Sequence, residues 1–446
     1  MKIKKLTATL LSGCVVLLAA GGCNITDFSA DNLLRPPKAV GDEAEIEQLI
    51  EQTADSGYIL KYPKSGNFRS AIIMTDLDGD EKDEAVAFFR NKDDTSAVHM
   101  LVMYSKDDSW KIASDSTFET TDIDSVDFAD VTGNSKREII VSSTTYTPNV
   151  NKLSCYSYSK GKTSEIHTEQ GCSSFVIGDF DNDGTDEIMT LLLYTTENEA
   201  LASMLDYSEK NTSLYAKAMA NMDPNVVRYK NISVSKLDKD VTGIVVDGTS
   251  ASEVTNTQVI FYSKELAILR NPLFKEKEKN ITERTSAVIC SDIDKDNTTE
   301  IPVTLTLPQP KNNKKDIYAE KIVWNTFNPV KEQLEKKQTV IINYDYMFMM
   351  SCPEKWEQNN VTAICDSETG ITSFYAWNGK KLDAELFEIK VSPISEWENG
   401  KSDGFTLITK DDKYAYSFIN INPDSAVSLS DDEIKTGFMT LVQSGI

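Results

Sequence analysis

The chain has 446 residues, of which 40% are hydrophobic and 26% are charged, as expected for a folded globular protein with two or three domains. Its formal net charge of −24 argues against binding to nucleic acid and against unaided binding to an anionic lipid surface, and favours divalent cations or basic partners. The two histidines, His99 and His167, are too few for a histidine metal cluster, and a catalytic triad built on either is not expected.

The first residues combine a basic start with a short apolar run. Three lysines within the first five residues precede an almost uncharged stretch over residues 6–20, and Gly21-Gly22 lies directly before Cys23. An apolar run of about 15 residues is short for a membrane-spanning helix and suits the core of a signal peptide. This pattern resembles the lipobox of bacterial lipoproteins, which implies that residues 1–23 are a signal peptide and that Cys23 receives the lipid.

Cys14 is an alternative lipid site, because the preceding Leu11-Ser12-Gly13 is closer to the usual lipobox sequence than the residues before Cys23 are. Cleavage there would leave the apolar stretch over residues 15–20 on the mature chain, so Cys23 is preferred. An ordinary signal peptide with incidental cysteines is the third interpretation. The preferred one predicts a lipoprotein held by its N-terminal lipid on the outer face of the bacterial cytoplasmic membrane.

Residues 24–57 are predicted to form a tether and a short helix. Pro36-Pro37 excludes a helix interior at that point. Apolar or small side chains then recur at helical spacing within residues 42–55, at Ile46, Leu49, Ile50 and Thr53. From residue 58 the pattern changes to a period of two, as in the runs 70–74, 84–89 and 98–104, which predicts strands.

An acidic nine-residue motif recurs four times between the predicted strands. Each copy has oxygen-bearing side chains at positions 1, 3 and 5, a glutamate at position 9, and an apolar run after it. The copies are named here by their first residue. They comprise Asp76, Asp78, Asp80 and Glu84; Asp130, Thr132, Asn134 and Glu138; Asp179, Asp181, Asp183 and Glu187; and Asp292, Asp294, Asp296 and Glu300.

The spacing of the copies indicates a longer repeat. Their first residues lie 54, 49 and 113 residues apart, and the last interval is about twice the others, which predicts a hidden copy near residue 236. The sequence there keeps the loop-then-strand shape in the Lys236 loop, but Lys236 and Ile244 replace the first and last carboxylates. Five units of about four strands each are the signature of a β-propeller, here predicted over residues 58–338.

The loop chemistry favours calcium. Alternate residues of a turning loop converge on one point, and a backbone carbonyl at position 7 would complete an all-oxygen site for a hard cation. An EF-hand would need flanking helices and a carboxylate at position 12, where these loops have Ala87, Val141, Thr190 and Val303. Calcium is therefore predicted in the Asp76, Asp179 and Asp292 loops. The Asp130 loop, with fewer carboxylates, is an equally balanced case between calcium and an ordinary turn.

These loops resemble those of FG-GAP/VCBS repeats, the calcium-loop propeller units of integrin α chains and of many bacterial surface proteins. The resemblance covers about residues 58–335. It implies that the metal lies between the first two strands of each blade and is structural. With its lipid anchor and tether, the chain is similar to the lipoproteins with such repeats that are common in Gram-positive anaerobic bacteria.

Residues 339–446 are predicted to form a separate α+β domain, since the acidic loops stop and aromatic strand segments replace them. Asn378-Gly379 predicts a hairpin turn, and Ser430 to Glu433 reads as a capping box before a helical face with Ile434, Phe438, Leu441 and Val442. The alternative is two further blades that close a seven-bladed ring.

Eight further side chains are expected to be mainly structural. The tryptophans Trp356, Trp377 and Trp397 are expected to pack in the core in preference to lining a ligand face. Most of the scattered cysteines are expected to be buried thiols, and a pairing of Cys352 with Cys365 is left open; the five are Cys155, Cys172, Cys290, Cys352 and Cys365.

The favoured function is a non-enzymatic, calcium-stabilised binding or adhesion scaffold of the cell envelope. Its partner would be another exported protein or a cell-envelope polysaccharide. No nucleophile–base pairing or Gly-rich phosphate loop is visible in the sequence, and the loop carboxylates would be occupied by metal. The alternative is a calcium-assisted, polysaccharide-active enzyme of the lyase type, since propellers host such sites.

We expect Cys23 to carry a diacylglyceryl group. Metabolic labelling with a fatty acid should mark the expressed protein, Cys23→Ala should abolish the label, and Cys14→Ala should leave it. Unlabelled soluble protein with another N-terminus would contradict this assignment.

Overall fold

The computed structural model describes residues 41–54, 57–196, 199–311, 317–400 and 403–441. The predicted lipid site Cys23, the alternative Cys14 and the Pro36-Pro37 tether lie outside these residues. The described part of the chain is mainly β, with 29 strands and three α-helices. None of its helices is long and apolar enough to cross a membrane. The helix predicted near the N-terminus is present as α1 (Asp42–Thr53), with Ile46 and Ile50 buried.

The strands form six antiparallel sheets. The first contains β1 (Tyr58–Leu60), β2 (Ile72–Thr75), β3 (Glu84–Asn91), β4 (Val98–Lys106) and β5 (Ser109–Phe118). The second contains β6 (Ile123–Ala129), β7 (Glu138–Thr144), β8 (Asn151–Ser159), β9 (Lys162–Ile166) and β10 (Gly171–Cys172). The third contains β11 (Ser174–Gly178), β12 (Glu187–Leu192), β13 (Leu201–Ser208) and β14 (Ser213–Asn221).

The other three sheets continue in the same manner. The fourth contains β15 (Val226–Asp238), β16 (Val241–Ser250), β17 (Thr255–Ser263) and β18 (Ile268–Arg270). The fifth contains β19 (Ile301–Leu305), β21 (Glu320–Asn328), β22 (Gln333–Asn343), β23 (Phe348–Ser351) and β29 (Phe438–Thr440). The sixth contains β20 (Ile317–Tyr318), β24 (Val361–Asp366), β25 (Ile371–Trp377), β26 (Leu382–Pro393), β27 (Thr406–Lys410) and β28 (Tyr414–Asn420).

Local sequence explains the strands and their turns. The run from Glu84 to Phe89 is buried throughout, as expected for a strand packed on both faces. Asp107 and Asp108 both have φ of 56° in the two-residue turn between β4 and β5, the conformation that matches the twist of a hairpin. The predicted turn at Asn378-Gly379 joins β25 to β26.

Each predicted loop-then-strand unit opens one of the first five sheets. The Asp76, Asp130 and Asp179 loops join β2 to β3, β6 to β7 and β11 to β12. The Lys236 loop lies between β15 and β16, and the Asp292 loop precedes β19, closed by a bridge between Ser291 and Glu300. The predicted hidden copy is therefore a member of the same series of hairpins.

The C-terminal part shares strands with the loop-bearing part. The predicted domain boundary between residues 338 and 339 falls inside β22, and β29 pairs with β23 in the same sheet. The sixth sheet is followed along the chain by α3 (Asp431–Gly437), and α2 (Ile394–Glu398) lies within its segment. A short 3-10 helix covers Glu354–Trp356.

The predicted C-terminal helix is confirmed at its start and wrong at its end. Ser430 and Glu433 form the capping box, and Ile434 is buried. However, the helix ends at Gly437, and Phe438 begins β29, so Phe438 and Leu441 do not continue a helical face. A helix of seven residues is marginal, whereas the edge of β23 offers unpaired backbone groups to a further strand.

Core packing is confirmed for Trp356, whereas Trp377 and Trp397 are only half-buried. Four of the five cysteines in the described part of the chain are buried, and Cys352 is half-buried. Trp356 is 2% exposed, stacks near Phe374 and Phe387, and donates its indole N–H to the Val427 carbonyl at 2.7 Å. Cys352 and Cys365 are both free thiols, as are the other cysteines of the described residues. His99 stacks on Phe89 with ring centroids 4.9 Å apart, which agrees with a packing role.

Candidate metal sites in the acidic loops

The glutamate at position 9 closes each acidic loop. One carboxylate oxygen accepts the backbone N–H of the residue at position 2, at 2.9 Å for Glu84, 3.1 Å for Glu138, 2.9 Å for Glu187 and 2.9 Å for Glu300. None of the four glutamates is more than 5% exposed. Each loop is therefore tied to the start of the next strand by a buried carboxylate.

The aspartate at position 1 shapes the turn. Both of its oxygens accept backbone N–H groups of later loop residues, for example those of Asp183 and Gly184 at 3.0 Å from Asp179. The residue at position 6 is left-handed in every copy, with φ of 68° at Glu81, 63° at Ser135, 94° at Gly184 and 68° at Asn297. The four loops thus share one backbone path, which the side chain at position 1 stabilises.

The ionised form of these buried glutamates is disfavoured. Burial, and then the nearby Asp78 carboxylate, raises the pKa of Glu84 to about 7. Burial, and then Asp181, raises the pKa of Glu187 to about 8. Burial also raises the pKa of Glu138 to about 7 and that of Glu300 above its usual value. Each site would therefore gain from a cation that neutralises its carboxylates.

Three of the four loops bring their carboxylates together. Asp179, Asp181, Asp183 and Glu187 each place one oxygen within 4.8 Å of the others. The equivalent groups in the other two loops contain three residues each and leave out Asp80 and Asp296. They are Asp76, Asp78 and Glu84, and Asp292, Asp294 and Glu300.

The Asp130 loop follows the same backbone path with different chemistry. The Thr132 hydroxyl donates to the second oxygen of Glu138 at 3.2 Å, so a neutral donor points to the buried carboxylate. Asn134 accepts the backbone N–H of Lys136 at 2.9 Å. With two carboxylates, Asp130 and Glu138, this loop is the weaker candidate for a metal.

Some carboxylate oxygens in these loops are buried and unpaired, as expected for atoms that would contact a cation. Asp78 Oδ1, Asp181 Oδ1 and Glu187 Oε1 are buried and accept no hydrogen bond. Such atoms are rare in folded proteins unless an ion or water satisfies them. The Asp76 and Asp179 loops therefore fit a hard cation held by aspartate and glutamate oxygens.

Two lysines reach into these groups, and the sequence did not reveal either. Lys337 of β22 places Nζ 2.7 Å from Asp294, 2.9 Å from Asp296 and 2.7 Å from Glu300. Lys217 of β14 pairs with Asp181 and lies 2.8 Å from Asp206. Although burial opposes it, these hydrogen bonds raise the pKa of both ammonium groups, so both remain charged. The one available signal is that Lys217 is the lone charge in its strand.

The Lys236 loop lacks the buried carboxylate. Asp238 and Val241 face each other across a tight hairpin, and Ile244 is fully buried among apolar side chains. Its carboxylates, Asp238 and Asp240, are exposed. The hairpin is therefore stabilised by apolar burial where the other four use a closed acidic loop.

Comparisons with known proteins add little to this geometry. No family model matches the chain, and no curated protein is similar to it. Among solved structures, the chain is similar to Saccharomyces cerevisiae Sqt1, with TM-score 0.34 and 11% identity over 80% of this chain and 86% of that one. It is also similar to a putative 6-phosphogluconolactonase from Bacteroides uniformis, with TM-score 0.32 and 11% identity over 69% and 82%. TM-scores this low do not establish a shared fold.

We expect Lys337→Met to destabilise the metal-free protein strongly. The change leaves a fully buried Glu300 without its ammonium partner, so the free energy of unfolding should fall by about 2–3 kcal/mol in urea with EGTA present. Lys336→Met is the matched control, because its ion pair with Glu357 is half-exposed and should contribute less than about 1 kcal/mol. Equal small losses for both variants would show that Lys337 does not compensate the buried charge of Glu300.

Proposed function

We propose that the chain is a membrane-anchored extracytoplasmic lipoprotein whose calcium-stabilised β-propeller serves as a binding or adhesion scaffold of the cell envelope. The observation that carries this proposal is the repeated hairpin closed by a buried glutamate, with two to three further carboxylates grouped against it in three copies. Such a site suits a structural cation, because its ligands come from the loop that joins two strands.

The architecture proposed for this scaffold is five FG-GAP/VCBS-like blades. Five successive sheets each contain the strand that follows one loop unit, and the third and fourth are simple four-stranded meanders. The sixth sheet, with α2 and α3, would form the C-terminal α+β unit. Because β22 and β29 tie that unit to the fifth sheet, it would be an extension of the propeller that is not separated by a linker. A closed seven-bladed ring is the alternative.

Calcium would not fill the loops equally. In the Asp76 loop no lysine of the described residues forms an ion pair with the grouped carboxylates. In the Asp179 loop Lys217 leaves one oxygen each of Asp181 and Glu187 unpaired. In the Asp292 loop Lys337 already contacts three carboxylates. We therefore assign calcium first to the Asp76 and Asp179 loops, with Lys337 acting as an internal cation in the Asp292 loop.

The role of the metal would be to fix loop geometry and not to activate a substrate. Every grouped carboxylate belongs to a loop that leads into a strand, and the deepest of them in each loop is a buried glutamate. Binding to the folded state alone would raise stability by mass action. The exposed surface that binds a partner would then be held in one shape by the loops.

We expect millimolar calcium to raise the melting temperature by several degrees relative to EGTA. Extracellular sites bind calcium at roughly 10⁻⁴ to 10⁻³ M, and a 100-fold excess over the dissociation constant adds about 2.7 kcal/mol per site. Asp181→Ala should remove much of the calcium-dependent rise in melting temperature that one site contributes, as measured by calorimetry. Asp238→Ala, in the Lys236 loop, is the matched control and should leave the calcium response unchanged. Identical melting curves in calcium and EGTA would refute the metal assignment.

A further inference from the structure

The first strands of neighbouring sheets border one cavity. Its volume is about 780 Å³, and its lining comes from residues 65–69 before β2 and from β6, β11 and β15. Small-molecule sites typically measure about 300–1,000 Å³. The cavity is therefore large enough for a ligand of two or three sugar rings, and none of the grouped loop carboxylates is among its lining residues.

The charge of this cavity is opposite to that of the chain. Its charged lining residues are Arg69, Arg228 and Lys230 against Asp127, within a chain of net charge −24. Three other cavities of the described residues show no positive excess. Their charged lining residues are Lys152, Glu119 and Glu165; Lys264, Arg270, Asp240, Glu265 and Glu332; and Lys275, Lys279, Glu278 and Glu332.

Two of the three basic groups have no carboxylate partner within the described residues. Arg69 Nε donates only to the Gly66 carbonyl at 3.3 Å, and Lys230 Nζ lies 3.4 Å from the Thr255 hydroxyl. Arg228 pairs with Glu253, which is outside the lining. Positive charge in the cavity is thus available to an external anion.

The remaining polar lining consists of hydroxyl and amide side chains. They include Ser125 of β6, Ser174 of β11 and Asn231 of β15, and the lining also contains the aromatic rings of Phe175 and Tyr229. Hydroxyls and amides pair with the hydroxyls of a sugar, guanidinium and ammonium groups pair with a carboxylate, and aromatic rings pack on an apolar face.

We propose that this cavity binds an acidic saccharide whose carboxylates face Arg69 and Lys230. The proposal gives a ligand class to the binding role proposed above and rests on that role, but it does not depend on calcium in the loops. A carboxylate-rich sugar would be attracted to a local positive field within a chain that repels anions elsewhere, and salt would weaken this attraction.

The test is calorimetric titration of the full chain in detergent with trigalacturonate, with calcium matched in cell and syringe. The methyl ester of the same trisaccharide is the neutral control ligand. Binding of the acid should weaken about 3- to 10-fold in Arg69→Gln and in Lys230→Gln, and should weaken with salt. Lys264→Gln, which alters the lining of another cavity, is the matched control variant and should bind as the unmodified chain does.

Three outcomes would overturn the proposal. They are no binding of the acid, equal binding of its methyl ester, or an unchanged affinity in both cavity variants whose folded state is verified by circular dichroism. Equally tight binding of tri-glutamate, weakened by the same variants, would replace the saccharide with an acidic peptide. If calcium does not raise the melting temperature but the saccharide still binds, only the metal assignment is refuted.

Discussion

Burial of a glutamate at the start of a strand is the constraint on which the repeating part of this structure depends. The carboxylate closes the loop through the backbone N–H at position 2, but a buried anion is costly unless a positive charge compensates it. Neighbouring aspartates increase that cost. Where Ile244 replaces the glutamate, the loop becomes a tight hairpin and the requirement disappears.

The four acidic loops share one backbone path but compensate the charge of the buried glutamate in different ways. Lys337 of β22 contacts three carboxylates of the Asp292 loop and offsets part of their charge, while Lys217 contacts one aspartate of the Asp179 loop. The Asp130 loop uses a threonine hydroxyl, and the Asp76 carboxylates have no lysine among their ion pairs within the described residues. A repeat whose geometry is set by local hydrogen bonds can thus keep its shape while its charge compensation differs from loop to loop.

The sequence predicted what is local and periodic. The acidic loops, the hidden Lys236 copy and the strands around them depend on residues close in the chain, and the structure places them as expected. The sequence did not predict the lysine partners, because Lys337 lies 37 residues from Glu300 and belongs to a different strand. For the same reason β29 was expected to be helical, since its pairing with β23 depends on a distant edge. The predicted boundary between residues 338 and 339 lies within β22, so the change in composition there does not coincide with a break in the sheet.

Counting bound calcium by native mass spectrometry tests the central claim most directly, because a substitution in a single loop assigns each lost or gained ion to that loop. We expect calcium on the unmodified chain at millimolar concentration, with one ion lost in Asp78→Ala and one ion gained in Lys337→Met. A chain that binds no calcium under these conditions, or a count that neither substitution changes, would contradict the calcium assignment.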